Sequence, residues 1–221
     1  YYSELQWAAK RYTEVKLDEI TKEMFEGINE NAVDFVPNYD GTTTEPVLLP
    51  VKFPSILVNT SSGIAVGMSS SIPSFGLRPV CEATIGILEE RVNDVSSLMK
   101  ILEAPDFTTY GFIHGEEGAY NELCRTGRGT VTITGGVELH KDRIIVREVP
   151  FKSSVEAIES DVIDGIKSGD FKEISDIKNE SDLDGVKIVI YLKRGQDPKK
   201  VLRKLMRRTR LKNRVSFITR V

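Results

Sequence analysis

Two stretches of the 221-residue chain bring together groups that could do chemistry or hold an anion. One is Arg11-Tyr12, a phenol beside a permanent cation. Taken alone, that pair specifies no reaction, because a tyrosine next to an arginine is ordinarily a surface packing pair. The other stretch runs from Pro50 to Pro73. Its polar knot, Asn59-Thr60-Ser61-Ser62-Gly63, joins Gly67 and Ser69 to Ser71 in offering hydroxyls and backbone N–H groups with no carboxylate among them. Such donors suit the phosphates of a polyanion. Arg125, Arg128 and Arg147 could reach phosphates too, or could line a solvated sheet edge. A third candidate, Asp182-x-Asp184, invites a metal ion. An EF-hand loop would need further acids and a glutamate, which are missing here, so an acidic turn is the better reading.

Periodicity predicts the elements that must position these groups. Val15, Leu17, Ile20, Met24, Phe25 and Ile28 recur at helical spacing and predict a helix from Glu14 to Asn31. Residues 1–12 lack a start signal and read as irregular, with Ala8 and Ala9 closely packed. Three prolines punctuate the stretch from Pro50 to Pro73. Within it, Ile56-Leu57-Val58 and Ile64-Ala65-Val66 read as buried strands on either side of the polar knot, with Ile64 a core residue. Helices are expected over 77–91, 95–102 (capped by Asn93 or Asp94), 118–125 and 153–167, and another opens at Asp197-Pro198. Strands are expected over 110–113, 129–134, 174–177 and 186–192. A hairpin is expected about Lys141-Asp142, pairing 137–140 with 143–149.

Composition narrows the classes. The chain is long enough to bury a full core. Cys81 and Cys124 are far apart and lack metal-ligand spacing, so they read as reduced thiols of a cytosolic protein. No signal peptide, membrane-length apolar run or phosphate-binding Walker loop is visible. The chain opens at Tyr1 within a continuing pattern and reads as a piece of a longer polypeptide. Net charge is only −3, but twelve Lys or Arg and one acid fall between Lys193 and Val221. That tail carries +11 and the rest of the chain −14, which leaves room for an anion-binding face. In the last helix Val201, Leu202, Leu205 and Met206 form an apolar stripe amid basic residues, a pattern that could serve DNA, a membrane surface or an acidic partner.

Five motifs, in order, give the chain a family resemblance over nearly its whole length. They are Arg11-Tyr-Thr-Glu14, Asp34-Phe-Val-Pro-Asn-Tyr-Asp-Gly41, Asn59-x-x-x-Gly-Ile-Ala-Val-Gly-Met68 with Ile72-Pro73, Pro105-Asp-Phe107, and Thr126-Gly-Arg-Gly129. Together they resemble the A subunit of bacterial type IIA DNA topoisomerases, gyrase and topoisomerase IV. Glu4-Leu-Gln-Trp-Ala-Ala-Lys10 stands where gyrases commonly carry a Gly-Asp-Ser-Ala-Ala-Ala-like run, and looks more like a topoisomerase IV-like branch.

The resemblance implies an α+β fold. Residues 1–40 would be the tail of a winged-helix region. Residues 41–221 would be a tower-type α/β domain with a mixed, mostly antiparallel sheet. It implies a fragment of the breakage-reunion subunit of an ATP-dependent type II topoisomerase. Tyr12 would be the nucleophile that joins the 5′ end of DNA, and Arg11 its neighbouring cation. A phenol ionises near pH 10 in general, so positive charge beside it would favour the attacking phenolate and the phosphoryl transition state. Ile64 would be wedged between base pairs, with Asn59, Ser61, Ser62 and Arg128 contacting DNA. Two A subunits would pair, and a B subunit would hold Mg²⁺ and ATP in an A2B2 assembly, cytoplasmic and nucleoid-associated. The rival from another class is a non-catalytic module that binds and bends DNA, in which Tyr12 is structural. A phosphate-binding metabolic enzyme built on Asn59 to Gly67 lacks the strand–glycine loop–helix order and a base.

Overall fold

In the computed structural model, which describes residues 8–114 and 117–220, the first third is made of short elements. A 3-10 turn, Lys10–Tyr12, precedes helix α1 (Ile20–Phe25) and the small hairpin β1 (Phe35–Pro37) and β2 (Thr44–Pro46). Helix α2 (Ser55–Val58) leads into strands β3 (Ser61–Ala65) and β4 (Met68–Ile72). Then come α3 (Leu77–Leu88), α4 (Val95–Met99), β5 (Phe112–His114), α5 (Glu117–Thr126) and β6 (Arg128–Thr134). The last part holds β7 (Val137–Leu139), β8 (Arg143–Val146), α6 (Val155–Lys167), β9 (Ile174–Asn179), β10 (Ile188–Leu192), α7 (Pro198–Arg208) and β11 (Lys212–Ile218).

The α+β class holds, but the sheets differ from the mixed arrangement expected. Every strand pair among the described residues is antiparallel. The order is β7-β8-β10-β9 in a four-stranded sheet and β3-β4-β11-β6-β5 in a five-stranded one. Tight turns can join antiparallel neighbours, whereas parallel ones require a crossover. Here α5 links strands that return antiparallel, α7 links the two sheets, and α6 carries the chain from β8 to β9, which run the same way on either side of β10.

The four-stranded sheet has α6 and α7 on one face. Ser154 caps α6 by accepting from the Ala157 N–H at 3.1 Å, and Val155, Ile158 and Val162 turn inward. Asp197 caps α7 by accepting from the Lys199 N–H at 2.9 Å, Pro198 occupies the first turn, and Val201 and Leu205 are buried. They meet Ile144, Val146, Ile188 and Ile190 in one cluster. The five-stranded sheet packs α5 on one face, over Val131, Ile133, Val215 and Phe217. Phe107, Phe151 and Phe217 group with nearly parallel rings, their centroids 4.6, 5.9 and 6.5 Å apart.

Several expected elements are corrected. The helix of residues 14–31 shrinks to α1, which buries no residue. Its stripe finds no core among the described residues, with Val15 and Leu17 strongly exposed. Gly27 and Asn31 then adopt positive φ, which ends helical geometry. Residues 56–58 form a helical turn rather than a strand, since a run of three is too short to carry a period. Ala8 is exposed and Ala9 half-buried rather than tightly packed, and the expectations for residues 1–7 lie outside the described residues. Strand β11 is absent from the expectations entirely. The acidic-turn reading holds: the Asp182 carboxylate accepts from the Asp184 N–H at 2.9 Å, and Asp182 bridges Gly185.

Two packing constraints give predictions. A Cβ at Gly129 would stand 2.7 Å from Leu123 Cβ and 2.8 Å from the Ala119 carbonyl oxygen, because α5 lies directly on β6. Gly129→Ala should therefore cost about 1–3 kcal/mol, read as a lower urea midpoint; an unchanged midpoint would show that α5 can recede. At the α7–β11 junction, Arg210 donates to Asp161 from its backbone N–H at 2.8 Å, Nε at 3.0 Å and Nη2 at 2.8 Å. Burial of Asp161 opposes ionisation, but these bonds outweigh it and hold the carboxyl below its usual range. Such a group stabilises the fold above its unfolded-state pKa and stops doing so as pH falls through the folded one. Asp161→Asn should lose about 1 kcal/mol near pH 7, allowing for partial solvent screening. The gap from wild type should close in acid titrations below about pH 4.

Candidate nucleic-acid interface

The residues singled out in the sequence fall into two places. Arg11 and Tyr12 sit on the 3-10 turn, which is closed by the Tyr12 N–H bonding the Ala9 carbonyl at 3.1 Å. Arg11 Nη2 donates to Tyr12 Oη at 3.3 Å, and the guanidinium carbon lies 4.8 Å from the ring centroid. The phenol is 71% exposed, so its oxygen is open to a large substrate. A permanent cation thus stands over the ring with one donor on the phenol oxygen. That arrangement can stabilise charge on the oxygen, and the guanidinium keeps further N–H groups for a phosphate.

The other place is the five-stranded sheet. Strands β3 and β4 form a hairpin whose two-residue turn is Val66-Gly67, with Ala65 opposite Met68. Gly67 takes φ +77°, a region that other residues enter at a cost. Ile64 is 94% exposed near the tip, so its reading as a core residue is wrong. Val66 and Met68 are also exposed beside it. Three large apolar side chains in five residues at a solvated tip are costly unless something covers them. A Cβ at Gly63 or Gly67 would meet nothing within 4 Å, so both glycines leave the backbone open to approach.

Register ties this tip to the arginine of Gly127-Arg128-Gly129. Ser62 pairs with Ser71, Ser71 with Ile218, and Ile218 with Arg128. Directly paired residues share a sheet face, and alternate residues along a strand share it as well. Ser62, Ile64, Ser69, Ser216, Thr130 and Arg128 therefore lie on one face, opposite α5. Ser62 and Arg128 stand three strand spacings apart, about 14 Å. Ser61 points to the other face, paired with buried Ile72, and is half-buried. Asn59 ends α2, where its Nδ2 and its backbone N–H both donate to the Ser55 carbonyl, at 3.4 and 3.0 Å. The structure thus groups Ser62, Ile64 and Arg128 and leaves Ser61 and Asn59 apart.

Charge distinguishes this sheet. Asp and Glu make up 33 of the 221 residues, yet its five strands contain none. Arg128, Lys212 and Arg214 are exposed on its open face, and His114 donates to or accepts from Thr134 Oγ1 at 2.7 Å. Arg220 stands at the hairpin's flank, its N–H 3.1 Å from Ser70 Oγ. Sequence reasoning gave no binding role to Val66, Met68, Lys212, Arg214 or Arg220. The alternation of Val215 and Phe217 with Arg214 and Ser216 was the signal for the last strand. Arg125, by contrast, lies on α5 and Arg147 pairs with Glu138 at 3.0 Å. Among the described residues no cluster of three or more His, Cys, Asp or Glu could hold a metal ion, and no helix is long and apolar enough to cross a membrane.

An exposed tyrosine lies under an arginine, and an acid-free sheet face ends in an apolar hairpin tip. The chain belongs to the family of the DNA gyrase/topoisomerase IV A subunit, which it matches over residues 3–221. It is similar to the DNA gyrase A subunit of Haloquadratum walsbyi, at 39% identity over 199 residues, 90% of this chain and 23% of that protein. It is also similar to the DNA gyrase A subunit of Clostridium acetobutylicum, at 38% identity over 211 residues, 93% of this chain and 25% of the relative. The DNA gyrase A subunit of Neisseria gonorrhoeae is 37% identical over 213 residues, 93% and 23% of the two chains. The chain spans about a quarter of the length of these curated relatives.

The glycine at the hairpin turn can be tested apart from function. Gly67→Val should strain the Val66–Met68 turn by roughly 1–2 kcal/mol, since a β-branched residue resists positive φ. Faster amide exchange confined to β3 and β4 would report it. Equal exchange in both proteins would mean that the turn relaxes without cost.

Proposed function

We propose that the polypeptide containing this chain is the DNA breakage-reunion subunit of an ATP-dependent type II topoisomerase, and that this chain carries its nucleophile and its duplex-bending surface. Family membership and the exposed Tyr12 with Arg11 over its ring support the reading. The exposed hairpin tip, on the same sheet face as Ser62 and Arg128, supports the second half of it. In this reading residues 1–40 are the tail of a winged-helix region and residues 41–221 a tower-type domain.

The chemistry follows from the groups in place. Tyr12 Oη, once deprotonated, attacks the phosphorus of a phosphodiester. A P–O(Tyr) bond forms, the P–O3′ bond breaks, and the 3′ oxygen leaves and takes up a proton. The 5′ end is then held as a phosphotyrosyl ester. Arg11 positions the phosphate and offsets charge on its oxygens. Resealing is the same step reversed, with the 3′ hydroxyl attacking and the phenolate leaving. Ester exchange conserves the bond energy, so rejoining requires no nucleotide. One tyrosine cuts one strand, so cutting both strands of a duplex calls for two A subunits.

Ile64 supplies the bend. An apolar side chain pushed between base pairs unstacks a step and kinks the duplex, at a cost repaid by wider contact. Ser62 and Arg128 hold phosphates on the same face, and Ser61 and Asn59 shape the base of the hairpin. The described residues fit no Mg²⁺ site. In this reading Mg²⁺ and ATP are held by a B subunit in an A2B2 complex, which would act on DNA in the cytoplasm. The rival module that only bends DNA would have the tip and the sheet face but no need for Arg11 above Tyr12.

Two outcomes test the proposal on the full-length protein with its partner subunit, Mg²⁺ and supercoiled plasmid. Denaturation during the reaction, digestion and mass spectrometry should find a nucleotide adduct on Tyr12 that Tyr12→Phe abolishes. DNA binding without any adduct, where a known family member gives one, would favour the bending module. Ile64→Ala should keep near-normal stability and lose much of the bend measured by energy transfer between duplex ends. An unchanged bend would remove Ile64 from the mechanism.

A further inference from the structure

We infer that the acid-free face of the five-stranded sheet continues onto α7, and that this extension binds the phosphate backbone of duplex DNA beyond the reach of the hairpin tip. The inference rests on the reading of DNA as the substrate. Residues Lys199–Arg214 include nine Lys or Arg and no acid. Within α7, Lys199, Arg203 and Arg207 follow one another at i, i+4 spacing and are all exposed. They form a single row about 12 Å long. Arg203 Nε touches the Lys199 carbonyl at 3.4 Å, and none of the three has a carboxylate within 4.0 Å among the described residues. Lys204, on the neighbouring flank, is instead held by Glu173 at 2.9 Å.

The row does not stand alone. Met206, on the α7 side next to it, lines a groove of about 320 Å³ together with Phe112, His114, Thr134 and Lys212. Those four belong to the open face of the sheet, as the pairing of Phe112 and Lys212 with Thr134 shows. The groove therefore joins helix and sheet into one surface. Five strands span about 19 Å between their outer members, and adding the helix, about 10 Å wide, gives a length close to one turn of duplex, about 34 Å. A phosphate lies every ~1.7 Å of that axis. Val201 and Leu205 are buried in the core, so α7 has no free apolar stripe to enter a bilayer. Hydroxyls alternating with cations on the adjoining strands match a phosphate backbone better than an acidic peptide.

The test measures binding of a labelled duplex to the full-length protein from 50 to 200 mM salt. Wild type is compared with Lys199→Gln/Arg203→Gln/Arg207→Gln and with Ile64→Ala/Arg128→Gln. Each phosphate that is no longer neutralised should flatten the slope of log affinity against log salt by about 0.9. The helix variant is therefore expected to lower the slope by about 2 to 3 for any sequence, at an unchanged melting temperature. If the hairpin variant weakens binding and the helix variant does not, the extension is overturned and the DNA reading stands. If neither variant weakens binding, the DNA reading fails and takes the extension with it. If the helix variant instead loses binding to vesicles of equal phosphatidylserine and phosphatidylcholine, with DNA binding intact, α7 is a membrane-surface helix and the inference is wrong.

Discussion

The pairing of β11 with β6 is the interaction on which the rest of the structure depends. Seven consecutive residue pairs, from Lys212–Thr134 to Ile218–Arg128, seat the C-terminal strand in the middle of the five-stranded sheet. At its far end Ile218 meets Ser71, the one register pair among the described residues through which the β3–β4 hairpin joins the sheet. Ser70 Oγ reinforces that joint by donating to the Arg220 carbonyl at 3.0 Å and accepting from its N–H. Without β11 the hairpin would be an isolated two-stranded ribbon, and such ribbons are marginal in water. The strand is held from below by Val215 and Phe217 in the apolar cluster under the sheet, and at its start by the Arg210–Asp161 pair.

That frame explains how charge is sorted. The chain is slightly acidic overall, yet one sheet is free of carboxylates while the other carries Glu138, Asp176 and their partners. Burial alone would not produce this, since the open face of the five-stranded sheet is solvated. A face meant only for water tolerates acids and bases alike. A face that excludes acids, presents hydroxyls and ends in exposed Ile64, Val66 and Met68 suits the proposed duplex, which has anionic edges and a stacked apolar interior.

Much of this was legible in the residues. The caps at Asp94, Ser154 and Asp197 and the inward stripes of α6 and α7 follow from local rules. The motifs around Tyr12 and Gly127–Gly129 pointed to the family. Local rules failed where tertiary geometry decides. Ile64-Ala65-Val66 has the composition of a core strand, and only the register of the hairpin shows it to be a solvent-facing tip. The stripe between Val15 and Ile28 looks amphipathic, but a helix needs a surface to bury its stripe against. Strand β11 was hidden among twelve cations that drew the reading toward a charged tail, although its alternation was plain. The glycines around Arg128, read as a family motif, also serve packing: Gly127 adopts φ +70° against Thr219, and Gly129 admits α5.

In the proposed binding mode the open face of the five-stranded sheet lies against DNA and the side covered by α5 does not. Site-directed cysteine labelling addresses it most directly. With Cys81 and Cys124 replaced by serine in the full-length protein, single cysteines at Ser62 and Ser216 report the open face. One at Ser96, exposed on α4 beyond the opposite face, serves as the reference. Saturating duplex should slow maleimide labelling at positions 62 and 216 by tenfold or more and leave position 96 unchanged. Equal labelling with and without duplex at 62 and 216, under conditions where DNA is fully bound, would contradict it.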